Sequence, residues 1–199
     1  EIAHYQSVVR ALTSRGLEPV LTLYHWTVPL WFRDQGGWLH ADAPSQFASF
    51  AAVMTRVLPE VTYFCTINEP EIYTAHSYIN GVWPPMKKSV WKGIIVMRAL
   101  ARAHRYAEKR IHEIHPKAKV GFAINMIDYV ATNILMRPVV WVSDAVWNRW
   151  WITLTQKHFD WIGINYYFSK HVGWGRRPEP VSVSDMGWPT QPEGLYRLL

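Results

Sequence analysis

Short apolar runs alternate with longer amphipathic stretches along the whole chain. Four runs are brief and rich in β-branched or aromatic residues, as expected of buried strands; they cover residues 19–24, 61–67, 119–124 and 161–167. Stretches of helical periodicity precede or separate them and cover residues 3–15, 44–58, 90–115 and 143–157. Strands that alternate with helices predict an α/β protein with a parallel sheet covered on both faces.

The remaining segments lack a clear period. Residues 29–42 and the Pro- and Gly-containing stretch between the second strand and the helix at 90 are predicted to be loops. Residues 126–141 fit either a helix or irregular structure, and residues 192–199 are predicted to begin one more helix. Glycine after the first helix and Pro116 after the third are the usual signals for a helix end.

Composition narrows the class of protein. The 199 residues are 49% hydrophobic and 18% charged, which suits one globular domain. No apolar run approaches the ~20 residues of a membrane-spanning helix. Cys65 is the single cysteine, so an internal disulfide is excluded and a reducing compartment, the cytoplasm, is expected.

The net charge of +6 raises nucleic-acid binding as a hypothesis. However, the basic residues of the long helix follow one stripe opposite an apolar stripe, the pattern of a solvated helix face. This basic stripe consists of Arg98, Arg102, Arg105 and Lys109. The pairs Lys87–Lys88 and Arg176–Arg177 are isolated in predicted loops. We therefore expect no nucleic-acid partner.

Aromatic residues make up 15% of the chain, including 12 tryptophans. Core packing accounts for many of them, but several tryptophans lie beside polar residues, as in Tyr24-His25-Trp26. The flat CH faces of sugar rings stack on indoles, so a carbohydrate site is a second explanation. Composition leaves both explanations open.

Polar side chains follow each predicted strand. They are His25 and Trp26, Asn68 and Glu69, Asn125, and Asn165 with Tyr167. The carboxyl ends of parallel strands meet at one edge of a sheet. These side chains are therefore predicted to share a cleft.

Glu69 is the residue that most resembles a catalytic group. A partly buried carboxyl group holds its proton more readily than an exposed one, so a carboxyl group just past a buried strand suits general-acid catalysis. The simpler interpretation of Asn68-Glu69-Pro70 is the start of a helix. His104 lies on the apolar side of its helix, where a core histidine is the preferred interpretation.

Several motifs, in order, resemble those of family 1 glycoside hydrolases, and Thr66-Ile67-Asn68-Glu69-Pro70 resembles the acid/base motif of that family. The others are Leu23-Tyr24-His25-Trp26, Gly37-Trp38, Gly81-Val82-Trp83-Pro84-Pro85, Ala103-His104, 116–121, 163–167, 185–188 and 192–195. The resemblance implies a partial TIM (β/α)8 barrel covering strands 3 to 6 of eight. Residues 1–199 would form a single incomplete barrel domain, the central portion of a retaining β-glycosidase.

The resemblance also implies roles for individual residues. Glu69 is the general acid/base, and Asn68 binds the sugar 2-hydroxyl. His25 and Trp26 belong to the pocket of the non-reducing sugar. Asn165 and Tyr167 face the same site, with Tyr167 hydrogen-bonded to the nucleophile. The expected substrate is a β-linked glucoside or oligosaccharide, with no metal or other cofactor.

The nucleophile that the resemblance requires does not occur in the sequence. A retaining glycosidase needs a second carboxylate about 5–5.5 Å from the first; in this family it lies in a Thr-Glu-Asn-Gly motif, which is absent. Glu71 is too close in sequence to face Glu69, and Glu179 and Glu193 lie in loop or helix-start contexts.

Three interpretations remain open from the sequence. The chain is a fragment of a β-glycosidase, a non-catalytic sugar-binding half barrel, or half of an enzyme that another chain completes. For the chain alone we expect no glycosidase turnover. We also expect self-association through its open barrel edges, because unpaired strand edges and exposed apolar surface favour it.

Overall fold

A sheet of four parallel strands lies at the centre of the computed structural model, which describes residues 1–174 and 182–199. The strands are β1 (Val20–Tyr24), β2 (Tyr63–Asn68), β3 (Lys119–Ala131) and β4 (Trp161–Val172). They are paired in chain order, each parallel to the next. The predicted parallel α/β architecture is therefore confirmed, and all four strands end at the same edge.

Helices connect the strands. They are α1 (Ile2–Thr13), α2 (Leu30–Asp34), α3 (Ala43–Val57), α4 (Pro70–Thr74), α5 (Val90–Ile114), α6 (Arg137–Asp144), α7 (Trp150–Thr155) and α8 (Glu193–Leu198). Two π-helical turns, Ala75–Ile79 and Ala145–Arg149, follow α4 and α6. Short 3-10 turns cover Gly37–Leu39 and Ile134–Met136. No helix within the described residues has the length and apolar character needed to span a membrane.

Two predicted loops contain helices. The segment 29–42 holds α2 and the first 3-10 turn, and the stretch after β2 begins with α4. The loop prediction was wrong there, because both helices are short and begin at a proline, Pro29 before α2 and Pro70 in α4. At the first turn of a helix, proline replaces an N–H that has no helical partner, and its fixed φ suits the helix.

The last two strands are longer than predicted. Beyond the apolar runs, β3 and β4 stay paired from Asp128↔Ser169 to Ala131↔Val172, after a register shift between Met126 and Asp128. Residues 126–141, ambiguous in sequence, thus divide into strand, 3-10 turn and the start of α6. The helix predicted from 143 begins at Arg137 and includes the π-turn.

The main core lies between the sheet and helices α3 and α5. Its fully buried residues include Phe64, Ile67, Leu100, Val120 and Phe122. The apolar stripe of α5 packs into this core, and Arg98, Arg102 and Lys109 on the opposite side are exposed, as predicted for a solvated face. Arg105 is half-buried and donates to the Leu154 carbonyl oxygen. The pair Arg176–Arg177 lies outside the described residues.

His104 is a core residue, as its position on the apolar face predicts. It is fully buried, its Nδ1 lies 2.7 Å from Thr66 Oγ1 on β2, and its Nε2 contacts the His158 carbonyl oxygen just before β4. Burial lowers the pKa of this histidine from 6.5 to about 4. A neutral imidazole thus connects α5 to β2 and to the segment that enters β4.

Candidate active site

The carboxyl ends of β1, β2 and β4 bring five polar side chains together. Asn68 Nδ2 donates to His25 Nε2 at 3.2 Å, and Asn165 Nδ2 donates to Asn68 Oδ1 at 3.2 Å. Asn165 Nδ2 also donates to Glu69 Oε1 at 2.8 Å, and the Tyr167 hydroxyl donates to the same oxygen at 3.3 Å. These hydrogen bonds form one network across the end of the sheet.

The backbone at the end of β2 aims Glu69 into this network. The β2–β3 register shifts between Cys65 and Asn68, as at a β-bulge, which bends a strand and redirects its side chains. Glu69 then adopts φ 45° and ψ 61°, a left-handed conformation that is rare for residues other than glycine. Its N–H donates to the Ala123 carbonyl oxygen at 2.7 Å. The turn leaves the Glu69 side chain 3% exposed.

Tyr167 contacts Glu69 directly. Burial and the negative charge of Glu69 both raise the pKa of the Tyr167 phenol, so the phenol keeps its proton and acts as a donor. Sequence reasoning paired this tyrosine with a nucleophile; within the described residues its hydroxyl partner is Glu69. The Trp188 ring packs edge-on against Tyr167, with ring centroids 5.1 Å apart, and supports its orientation.

Trp26 closes the β1 side of the site. Its indole N–H donates to the Asn68 carbonyl oxygen at 3.0 Å, and its backbone has a positive φ of 77°. The His25 ring meets it edge-on at 4.8 Å between centroids. This contact and the hydrogen bond from Asn68 position His25, which is otherwise exposed. The structure therefore brings together the six residues to which the resemblance gave roles. The Asn125 side chain, which was also predicted to share the cleft, instead accepts from Trp147 Nε1 at 3.4 Å.

Trp83 is a neighbour of the site that sequence reasoning did not select. Its ring lies 4.8 Å from that of Trp26 and 4.6 Å from that of His76, between centroids. It belongs to the Gly81–Pro85 motif, which the sequence analysis used only as a family resemblance. An isolated tryptophan in a loop gives no signal of an aromatic partner 57 positions away.

Glu71 was excluded as a facing carboxylate, and its position agrees with that prediction. It is 4% exposed, and its Oε1 accepts from the Asn125 backbone N–H. Burial raises the pKa of Glu71 to about 8, so the group is mostly protonated at neutral pH. Glu193 is the first residue of α8, and Glu179 lies outside the described residues.

The geometry of this cleft can place one buried carboxyl group against a bound polar molecule. Glu69 supplies that carboxyl group, two amides and a phenol orient it or offer hydrogen bonds, and two indoles supply flat apolar faces. Such a set suits proton transfer to and from a hydroxylated ligand.

The family model described as "Glycosyl hydrolase family 1" matches residues 1–134. The chain is 27% identical over its full length to a beta-galactosidase of Sulfolobus acidocaldarius, of which it covers 50%. It is 24% identical, over 98% of its length, to beta-glucosidase A of Acetivibrio thermocellus, of which it covers 53%. The chain thus spans about half the length of these curated relatives.

The fold of this chain likewise matches about half of a larger solved structure. A beta-glycosidase from Pyrococcus horikoshii superposes with a TM-score of 0.88 at 25% identity, over 98% of this chain and 52% of that one. This likeness over half of a barrel enzyme confirms the prediction of a partial TIM barrel.

Proposed function

The chain belongs to glycosyl hydrolase family 1, and from this membership we propose that the whole protein hydrolyses β-glycosidic bonds with retention of configuration. The observation that carries the proposal is the Glu69 carboxyl group. It is buried at the end of a parallel strand and hydrogen-bonded by Asn165 at 2.8 Å. The relatives named as β-glycosidases support the reaction class.

In the proposed reaction Glu69 acts twice. As an acid it protonates the glycosidic oxygen while the bond to the anomeric carbon breaks and a second carboxylate bonds to that carbon. As a base it then removes a proton from water, whose oxygen displaces the second carboxylate and regenerates it. The second carboxylate has no counterpart in this sequence, so the chain supplies one of the two required groups.

The other residues are proposed to bind a β-linked glucoside or oligosaccharide. Asn68 would donate to the sugar 2-hydroxyl, a contact that strengthens in the transition state. His25 and Trp26 would contact the non-reducing sugar, and Asn165 and Tyr167 would hold Glu69 beside it. The hydrogen-bond network through Asn68 supports this assignment, because one rigid set of donors and acceptors faces the cleft.

Residues 1–199 are proposed to form one incomplete barrel domain. β1 and β4 are the edges of the described sheet, and unpaired edges and uncovered apolar side chains promote association. The chain alone is therefore expected to self-associate and to lack turnover. Light scattering combined with an aryl-glucoside assay tests both expectations, and a 23.2 kDa monomer with turnover would contradict them.

A second candidate is a half barrel that binds sugar without catalysis, or one that a separate chain completes. The cleft holds one proposed catalytic carboxylate, Glu69, which is compatible with this candidate as well as with the hydrolase. If the polypeptide isolated from the source has a mass of 23.2 kDa, the second candidate is preferred. A polypeptide about twice as heavy supports the hydrolase.

The decisive experiment is Glu69→Gln in the whole protein. With an alkyl glucoside, whose leaving group needs protonation, kcat/KM should fall roughly 10²–10⁴-fold. With a dinitrophenyl glucoside, whose leaving group departs unaided, the loss should be much smaller. Glu60→Gln, the same change at an exposed turn position, is the matched control and should change neither value. Equal losses on the two substrates would show that Glu69 is not the acid.

A further inference from the structure

The outer face of α6 carries a stripe of exposed apolar side chains. Residues 134–149 are continuously helical, because the second 3-10 turn, α6 and the second π-helical turn follow one another without a break. Four apolar residues recur along this stretch at the spacing i, i+4, i+7 and i+11, which places them on one face of a helix. They are Leu135, Val139, Val142 and Val146, and they are 68%, 47%, 51% and 57% exposed. These four residues form the α6 stripe.

Contacts on the opposite face prevent the helix from turning the stripe inward. Asn148 is fully buried, and its side chain accepts from the Ile127 N–H at 3.0 Å and donates to the Ile127 carbonyl oxygen at 2.9 Å. It also donates to Asp144 Oδ1 at 2.7 Å. These hydrogen bonds attach the π-helical turn to β3. The α6 stripe therefore stays on the surface of the folded chain.

The exposed apolar surface extends beyond the stripe. Ile134 and Trp141, on the neighbouring side of the helix, are 70% and 67% exposed. Val146 also lines a groove together with Ile79 and Val90, which are themselves exposed. Soluble monomers rarely expose more than a few hundred Å² of contiguous apolar surface. Two such patches that face each other would bury roughly the 1,200 Å² of total surface at which stable interfaces begin.

The charges around the stripe favour a second copy of the chain as its partner. Chains with a net charge of +6 repel one another, so two copies approach most easily where like charges are absent. Arg149, at the end of the stripe, pairs with Asp144 at 2.5 Å. The four positions that flank the stripe are uncharged, and they are Met136, Pro138, Ser143 and Ala145. Identical copies can therefore meet here without electrostatic repulsion.

The spacing of the stripe suits a pair of helices. In a heptad assignment Val139 and Val146 occupy a positions, and Leu135 and Val142 occupy d positions. β-branched residues at a favour two helices over three or four. A two-fold axis places a surface patch against itself. Val139 and Val142, at the centre of the stripe, would then lie beside their own counterparts.

We propose that the α6 stripe is an interface through which two copies of this chain pair, helix against helix, around a two-fold axis. The interface is separate from the open sheet edges at β1 and β4, and it does not depend on the proposed hydrolysis.

Disulfide cross-linking tests whether the stripe meets itself. A disulfide requires Cα atoms about 4.4–6.8 Å apart, so it reports direct contact between copies. In a Cys65→Ser background, Val142→Cys treated with copper–phenanthroline should form a covalent dimer of twice the 23.2 kDa chain mass. Val53→Cys on α3, which is 45% exposed, is the matched control and should stay monomeric over the same time. Equal rates for the two variants, or no dimer from Val142→Cys, would overturn the proposal.

Charged substitutions measure the strength of the contact. Val142→Asp places two like charges at the centre of the pair. The dissociation constant for the first step of association, measured by sedimentation velocity, should therefore rise roughly 30-fold or more. Val53→Asp should leave this constant unchanged. If Val142→Asp also leaves it unchanged, the copies meet at another surface, such as the sheet edges, and the proposal is wrong.

A mixing experiment separates loss of the contact from loss of the fold. Val142→Asp and Val142→Lys should both keep the circular dichroism of the wild type, because Val142 is half-exposed. Each variant alone should associate weakly, whereas an equimolar mixture should associate about as tightly as the wild type, because opposite charges then meet. A mixture no tighter than its components would refute the interface. Wild-type chains that stay monomeric and bind phosphatidylcholine vesicles would refute it as well, and would assign the stripe to a membrane surface.

Discussion

The inner and outer strands of the sheet differ sharply in burial. β2 is paired on both sides, and five of its six residues are buried. β4 is an edge of the described sheet, and one of its twelve residues, Ser169, is buried. The same fold thus contains a strand that is almost wholly core and a strand that is mostly half-exposed.

The candidate site combines both kinds of strand. β2 positions Asn68 and Glu69, and the surrounding core determines their placement. His25 follows edge strand β1, and Asn165 and Tyr167 lie on edge strand β4. The carboxyl group is therefore held by packing, whereas its partners are held mainly by strand pairing and by the hydrogen bonds they make. Substitutions in the inner strands should therefore lower the free energy of unfolding more than matched substitutions in the edge strands.

The largest expected effect concerns the inner strands. Phe122 on β3 is fully buried and meets the rings of His104, Trp151 and Phe159. Phe122→Ala should lower the free energy of unfolding by about 3–5 kcal/mol, because it removes buried surface and leaves a cavity. The matched change Phe168→Ala on half-buried β4 should cost about 1 kcal/mol, because less buried surface is lost there. Urea denaturation measures both, and equal losses would contradict the division into inner and outer strands.

A second large effect depends on pH and concerns His104. The pKa of His104 is about 4 in the folded chain, and its reference value is 6.5. Between pH 4 and pH 6.5 the unfolded chain therefore binds a proton at this residue that the folded chain does not bind. Stability should therefore fall as the pH drops from 6.5 to 4, by roughly 3 kcal/mol for this group.

His104→Gln should remove this part of the pH dependence, measured as the difference from wild type in unfolding free energy at pH 7 and pH 4. His4→Gln at an exposed position of α1 is the matched control and should keep the wild-type difference. If His104→Gln also keeps the wild-type difference, the pKa of His104 is not lowered by folding, and the histidine is protonated in the folded state at pH 4.

The contrast between inner and outer strands also explains which elements could be predicted from sequence. Helix α5 was predicted within one residue, because its apolar stripe is long, Ser89 caps it at 3.3 Å and Pro116 follows it. The strand β2 was predicted because a run of buried residues has a local composition signal. The six site residues could be selected because parallel strands end together and the motifs match a known family.

Features that depend on contacts distant in sequence could not be predicted. The extensions of β3 and β4 contain polar residues such as Asp128 and Lys170, and they are strands because each pairs with the other. The contact of Trp83 with Trp26, and the burial of Glu71 against Asn125, likewise require chain segments that only the fold brings together. Periodicity within a segment carries no information about such partners.

An intermediate effect is expected where α8 meets the extended strands. Arg197 Nη2 donates to Asp128 Oδ2 at 2.6 Å, and Asp128 is 5% exposed. Arg197→Ala should destabilise the fold by about 1–2 kcal/mol, because a buried carboxylate loses its charged donor while the arginine itself was half-exposed.

After Arg197→Ala, backbone amides should lose protection from hydrogen exchange mainly in α8. The exposed pair Arg110–Glu113 provides the matched control, and Arg110→Ala should cost less than about 0.5 kcal/mol. Uniform loss of protection across the sheet after Arg197→Ala would indicate that the ion pair belongs to the core.

The smallest effect is expected at the edge, and it tests whether β1 is an edge in solution. Val20 on β1 is 56% exposed, and Val120 on β3 is fully buried. Valine and threonine have nearly the same shape, so Val→Thr changes polarity with little change in packing. Val120→Thr should cost about 1–3 kcal/mol because it buries a hydroxyl group, whereas Val20→Thr should change stability by less than about 0.5 kcal/mol in solutions dilute enough to prevent self-association. The two unfolding free energies should be measured over a range of protein concentrations. A loss at Val20 that grows with concentration would mean that the expected self-association covers β1, whereas a loss as large as that at Val120 already in dilute solution would contradict the assignment of β1 as an edge.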